Sequence, residues 1–186
     1  MSKKSAERAT EVANSQRAMI AWFLGLSAAY MIAGVILLDV PLVRDGFVDP
    51  WTRFNASASA TMASLFGVDS TATGTFVQSG AAHLDIKAGC NGAHALLILL
   101  ASVFAFPAPW GRRLIGALAG TLAVLGFNLI RLINLIVVAR YFPARLELFH
   151  IYIWQTLIIL IALGVFLVWG NFFAENRSGA RAVHSA

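Results

Sequence analysis

The stretch "LIGALAGTLAVLGFNLIRLINLIVVARY", residues 114–141, is apolar for long enough to cross a bilayer, yet its second half carries Asn128, Arg131 and Asn134. A helix needs about 20 apolar residues to span the hydrocarbon core. An arginine at the centre of such a helix costs about 2.5–3.5 kcal/mol on insertion scales. Something should therefore compensate for Arg131. Asn128 lies three positions earlier, on a neighbouring part of the same helix face, so the pair can form a polar stripe turned into a bundle. A purely structural alternative stays open at this point, in which Arg131 snorkels to headgroups or helps helices pack.

Working outward, the whole chain has the composition of an integral membrane protein. Of its 186 residues 59% are hydrophobic and only 12% charged, and the mean hydropathy is +0.74. Besides 114–139, spans are expected at 18–38, 91–106 and 151–170, which makes an all-α membrane protein of about four transmembrane helices in a single domain over 1–186. The apolar run after Met1–Arg17 is too long for the roughly 7–15-residue core of a signal peptide, so it reads as a retained helix. The net charge of +5 follows the positive-inside pattern. Lys3, Lys4, Arg8, Arg17, Arg112, Arg113, Arg177 and Arg181 fall on one side, while the basic residues of the other side are diluted by acids. The 1–17 tail, the 107–113 loop and the C-terminus are thus expected in the cytoplasm. The 39–89 segment and the 140–150 loop face outward, into the periplasm of a bacterium, with the chain in the inner membrane. No basic cluster with interleaved aromatics argues for nucleic acid.

The outward segment has structure of its own. "PWTRFNASASATMASLFG" puts Trp51, Phe54, Ala58, Met62, Leu65 and Phe66 near one helical face, which predicts an interfacial helix on the outer leaflet. "TFVQ", "SG" and "AHLDIKA" then predict a small β-hairpin leading into Gly89 and Cys90.

Cys90 is the only cysteine, so it is either a buried small hydrophobe or a reactive thiol. The span boundaries put Cys90 at the outer start of the second span, Arg131 in the outer half of the third and His150 at the outer start of the fourth. All three converge on one side of the bilayer. Taken alone, His150 reads as a structural or headgroup-level residue, and for Arg131 the structural and functional readings stand level. Together they form a workable acyl-transfer set: imidazole takes the thiol proton, and a guanidinium favours thiolate and stabilises an oxyanion. The helix that begins after Cys90 adds a positive dipole end. His94 lies one turn beyond Cys90, His83 turns outward on the expected strand, and His184 sits in the tail. No cluster has metal-ligand spacing, and no cofactor is implied.

These residues also carry a resemblance. "GCNG" at 89–92, "AFPAPW" at 105–110, "NLIRLINL" at 128–135 and "LELFHIYIWQTLIIL" at 146–160 occur in the order seen in exosortases, and the chain is most similar to the short exosortase H form. The resemblance covers roughly 85–169. It implies a membrane cysteine protease-transpeptidase. Its substrates would be exported proteins with a C-terminal motif, a transmembrane helix and a basic tail, met among membrane lipid. Carried over residue by residue, the nucleophile is Cys90, the arginine Arg131 and the histidine His150. Asn91 and Asn128 are expected to contact substrate or orient groups. Two readings of other classes compete: a small transporter or anion- or lipid-binding subunit using Arg131, and a structural subunit. A variant of the enzyme reading has Asp85 or Glu147 orienting His150.

Overall fold

A computed structural model describes residues 3–183. His184, and the side chains of Lys3, Lys4, Arg177 and Arg181 used in the charge count, lie outside the described residues. Helix α1 (Lys3–Asp39) leads through the short α2 (Pro41–Val43) and a π-helical turn, Arg44–Val48, into α3 (Asp49–Leu65). Strands β1 (Thr71–Thr73), β2 (Phe76–Ser79) and β3 (Ala82–Asp85) follow, and a 3-10 turn at Ala88–Cys90 precedes α4 (Ala93–Ala105). Helix α5 (Trp110–Tyr141) connects by a 3-10 turn at Pro143–Arg145 and a second π-helical turn, Leu148–Trp154, to α6 (Gln155–Val183).

Among the described residues, three stretches are long and apolar enough to cross a membrane: Thr10–Asp39, Trp110–Tyr141 and Pro143–Phe172. The fourth expected span differs. Helix α4 has 13 residues and covers about 20 Å at 1.5 Å per residue, short of a hydrocarbon core of about 30 Å. Its ends are set by residues that cannot continue it: Gly92 takes a left-handed φ of 82° before it, and Phe106 is extended ahead of Pro107. Instead of facing lipid all round, α4 packs against α1, α5 and α6, with Ala95, Leu99 and Val103 buried at its centre.

Two apolar clusters divide the molecule. One joins α4 to α6 through Leu99, Val103, Val124, Ile158, Ala162 and Trp169. It is edged by an aromatic group in which Phe23 stacks on Phe166 at 5.8 Å and Phe106 meets Trp169 at 5.5 Å. The other joins α3 and the sheet to the far half of α5 through Ala56, Ala60, Val77, Ile86, Leu132 and Ile136. Helix α3 buries the face carrying Thr52, Asn55, Ala56, Ser59, Ala60 and Ala63 and leaves Phe54, Leu65 and Phe66 exposed. Its apolar side thus points away from the protein, as an interfacial helix requires. The expected hairpin is a three-stranded antiparallel sheet in the order β1-β2-β3. The sequence reading missed β1 because "TAT" offers no alternation of apolar and polar side chains.

Close approach of the helices depends on missing side chains. A Cβ on Gly116 would meet the Trp169 indole, whose Nε1 donates to the Arg112 carbonyl at 3.2 Å. Gly116→Val is therefore expected to destabilise the bundle by about 1–3 kcal/mol through overpacking. Gly126→Ala, with nothing within 4 Å of the added carbon, should leave stability within about 0.5 kcal/mol. Unfolding in detergent followed by tryptophan fluorescence compares the two, and equal losses would contradict this packing.

Candidate active site

The position of Cys90 is fixed by the residue after it. Asn91 is fully buried. Its Nδ2 donates to Thr52 Oγ1 at 2.9 Å, its Oδ1 accepts from the Ala93 backbone N–H at 3.0 Å, and its carbonyl accepts from Trp51 Nε1 at 3.0 Å. One side chain thus caps the start of α4 and staples the loop to α3. Cys90 itself closes the 3-10 turn by donating its N–H to the Lys87 carbonyl at 2.8 Å. Gly92, at φ 82°, permits the sharp entry to α4 and presses on Asn128, whose Cγ lies 3.1 Å from where a Cβ would stand.

Arg131 reaches this turn from α5. It is 1% exposed, with Nη2 3.9 Å from Cys90 Sγ and donating to Gln155 Oε1 at 3.4 Å. From Arg112 to Arg131 is nineteen residues of one helix, about 28 Å along its axis. Arg112 and Arg113, expected in a loop but placed in the first turn of α5, therefore lie at the opposite end of the bundle from the thiol.

His150 sits in the second π-helical turn, with Nε2 2.7 Å from Cys90 Sγ. A π turn closes i→i+5 hydrogen bonds instead of i→i+4, and such turns occur often at functional sites. The wider turn brings His150 and Gln155, five residues apart, toward the same face. In a regular α-helix they would diverge by about 140°, since each residue turns the chain by about 100°.

Cys90, Arg131 and His150 are thus together. Burial pushes the Cys90 thiol above its ordinary value, and the Arg131 charge pulls it back down. Cys90 Sγ and His150 Nε2 share a hydrogen bond whose donor is set by the tautomer of the imidazole. A cleft of about 40 Å³ opens beside the sulfur, lined by Leu84, Asp85, Ile86, Leu135 and His150 among others.

Asn91 and Asn128 are both fully buried. The polar atoms of Asn91 are engaged within the chain. Asn128 Oδ1 and Nδ2 have no hydrogen-bond partner among the described residues. Asp85 accepts from Thr75 Oγ1 at 3.1 Å, and neither it nor Glu147 is hydrogen-bonded to His150 among the described residues. His83 and His94 are exposed. The sequence reading set Trp51 on the membrane face of the interfacial helix, whereas its indole turns to the Asn91 carbonyl, and it passed over Thr52 and Gln155. Gln155 carried a signal, as a polar residue inside an apolar run. Nothing in the sequence marks the π turn that aligns it with His150.

A buried guanidinium, an imidazole and a thiol at one end of an apolar helix bundle define a multi-pass membrane protein organised around a single sulfur. The chain belongs to the transmembrane exosortase family, whose sequence model (Exosortase_EpsH) matches residues 17–168. No curated protein and no solved structure matches the chain.

The charge geometry sets a sign for the thiol. Removing Arg131 removes the largest of the influences that lower the Cys90 pKa and leaves the burial that raises it. Alkylation of Cys90 by iodoacetamide follows the thiolate fraction. In Arg131→Gln its pH profile should move to higher pH, and the rate at pH 8 should fall. Arg131→Lys should retain most of the wild-type profile. An unchanged profile in Arg131→Gln would contradict this electrostatic coupling.

Proposed function

We propose that the protein is a membrane cysteine peptidase-transpeptidase that cleaves C-terminal sorting signals of exported proteins, acting at the periplasmic face of the bacterial inner membrane. The observation that carries this reading is the 2.7 Å approach of His150 Nε2 to Cys90 Sγ with Arg131 Nη2 at 3.9 Å. That arrangement supplies the parts an acyl transfer uses.

His150 takes the Cys90 proton as the sulfur attacks the carbonyl carbon of the scissile peptide bond. The C–S bond forms while the carbonyl electrons move onto oxygen. Arg131 stabilises that oxyanion and the preceding thiolate through its buried positive charge, in surroundings of low dielectric where such a charge acts strongly. The C–N bond then breaks, and the amine leaves with the proton held on His150. A thioester remains on Cys90. An amine or water, deprotonated by His150, attacks it and restores the thiol, giving transpeptidation or hydrolysis. No cofactor enters these steps.

The substrate is an exported protein whose tail has a short motif, a transmembrane helix and a basic cluster. Such a helix presents its motif at membrane-surface level, and the charge distribution of the chain favours the outer surface for Cys90. The transporter reading gains nothing from Arg131, which is enclosed beside the thiol.

A tail-anchored reporter carrying a candidate sorting signal, co-expressed with each variant and read by intact mass, tests this function. Truncation is expected with the wild type and none with Cys90→Ala. His150→Ala should lose about 10²–10⁴-fold in rate, the usual worth of a general acid–base group. The terminal mass separates water from an amine acceptor. Truncation by Cys90→Ala at the wild-type rate would refute the assignment.

A further inference from the structure

The sheet lies directly before the thiol, and one of its edges is unused. The register pairs Phe76 with Asp85, Val77 with Leu84, Gln78 with His83 and Ser79 with Ala82. The Ile86 N–H donates to the Thr75 carbonyl at 2.9 Å. In an antiparallel pair, residues that exchange hydrogen bonds alternate with residues that do not. Ala82, Leu84 and Ile86 therefore turn their backbone groups toward β2, and His83 and Asp85 turn theirs away. Among the described residues no hydrogen bond takes up the backbone N–H or C=O of His83 or Asp85. The opposite edge strand, β1, packs against α3, and β2 and β3 lie against α5.

An open strand edge is a template for pairing, and proteins block such edges unless they use them. This one borders the cleft that holds Cys90 and His150, and Leu84, Asp85 and Ile86 form part of the cleft wall. The chain then runs from Asp85 to Cys90 in five residues and folds back in the 3-10 turn, with the Cys90 N–H on the Lys87 carbonyl.

We propose that the free edge of β3 is the docking strand for the substrate, so that an extended peptide segment pairs with the backbone of His83 and Asp85 and places its following carbonyl at Cys90 Sγ. This rests on the reading of Cys90 as nucleophile. Recognition by strand addition draws affinity from main-chain hydrogen bonds and specificity from alternate side chains. His83 and Asp85 are exposed and Ile86 is buried, so successive side chains of the added strand face alternately toward open space and toward the cleft. The cleft of about 40 Å³ selects a small side chain on its side of the peptide. An extended segment also delivers its carbonyl without helical hydrogen bonding, which a residue inside the substrate's own membrane helix cannot do.

The full chain in detergent micelles, with acetyl-Ala-Ala-Ala chloromethyl ketone as probe and iodoacetamide as reference, tests the docking strand. Both reagents alkylate the sulfur: Sγ displaces halide from carbon, and the C–S bond replaces the C–Cl or C–I bond. The ratio of the two rate constants, divided by the same ratio for free cysteine, reports what the peptide contributes. In the wild type this ratio should exceed one by about tenfold or more, the worth of two hydrogen bonds. Asp85→Pro removes one outward N–H and leaves the ladder to β2 in place. It should lower the ratio by about fivefold, whereas Asp85→Ala keeps the N–H and the ratio. A probe in which the central alanine is replaced by lactic acid removes a donor from the peptide and leaves the protein untouched. It should show a lower ratio with the wild type.

A wild-type ratio near one, or a ratio unchanged by both Asp85→Pro and the ester probe, overturns the docking strand while leaving Cys90 as nucleophile. If the edge pairs with a second copy of this chain instead, Asp85→Pro turns a dimer into a monomer in sedimentation and leaves the ratio alone, which also overturns it. Failure of both reagents to label Cys90 in the folded protein, with labelling after unfolding, overturns the nucleophile reading and the docking strand with it.

Discussion

The guanidinium of Arg131 is buried inside an apolar bundle, and the rest of the structure is arranged around that constraint. A lone arginine at such depth is costly. It is retained beside a thiol at 3.9 Å and a carboxamide oxygen at 3.4 Å, and its neighbour Leu132 packs under a cover made by α3 and the sheet. The cover makes the charge effective, because exclusion of water strengthens its field at the sulfur. The same exclusion raises the thiol pKa. Burial and charge oppose each other at one atom, which lies within hydrogen-bond reach of an imidazole.

The cover is held by polar contacts of modest number. Trp51 and Thr52 on α3 engage Asn91, and Asn91 fixes the residues on either side of it. At the opposite end of the bundle, Trp169, Phe106, Phe166 and Phe23 fill the space between helices, and small residues such as Gly116 let α5 approach α6. The apolar end supplies packing, and the polar end holds the reactive group.

Much of this was legible in the sequence, because membrane insertion makes charged residues informative. The apolar runs gave the spans at 18–38, 114–139 and 151–170, and the cost of Arg131 pointed to an enclosed site. The convergence of Cys90, Arg131 and His150 followed from charge counting and span boundaries. Other features carried no periodic signal. The run at 91–106 looks like a span by composition, but Gly92 and the prolines at 107 and 109 leave a 13-residue helix inside the bundle. Strand β1 pairs through its backbone and has no side-chain pattern. The π turn at Leu148–Trp154 changes which residues share a face without changing composition, so Gln155 could not be placed beside Arg131 by α-helical spacing. Asn91, expected to contact substrate or orient groups, has its polar atoms engaged by Trp51, Thr52 and Ala93.

The central claim is that this buried charge, imidazole and sulfur form one acyl-transfer site, and its most direct test is the covalent intermediate. Wild-type protein mixed with a processed reporter and quenched in acid within the first turnover should carry the acyl fragment of the reporter on Cys90. Fragmentation mass spectrometry would locate it, and hydroxylamine at neutral pH would remove it, as expected of a thioester. Cleavage of the reporter with no adduct at any quench time, or with the adduct on a residue other than Cys90, would contradict the account.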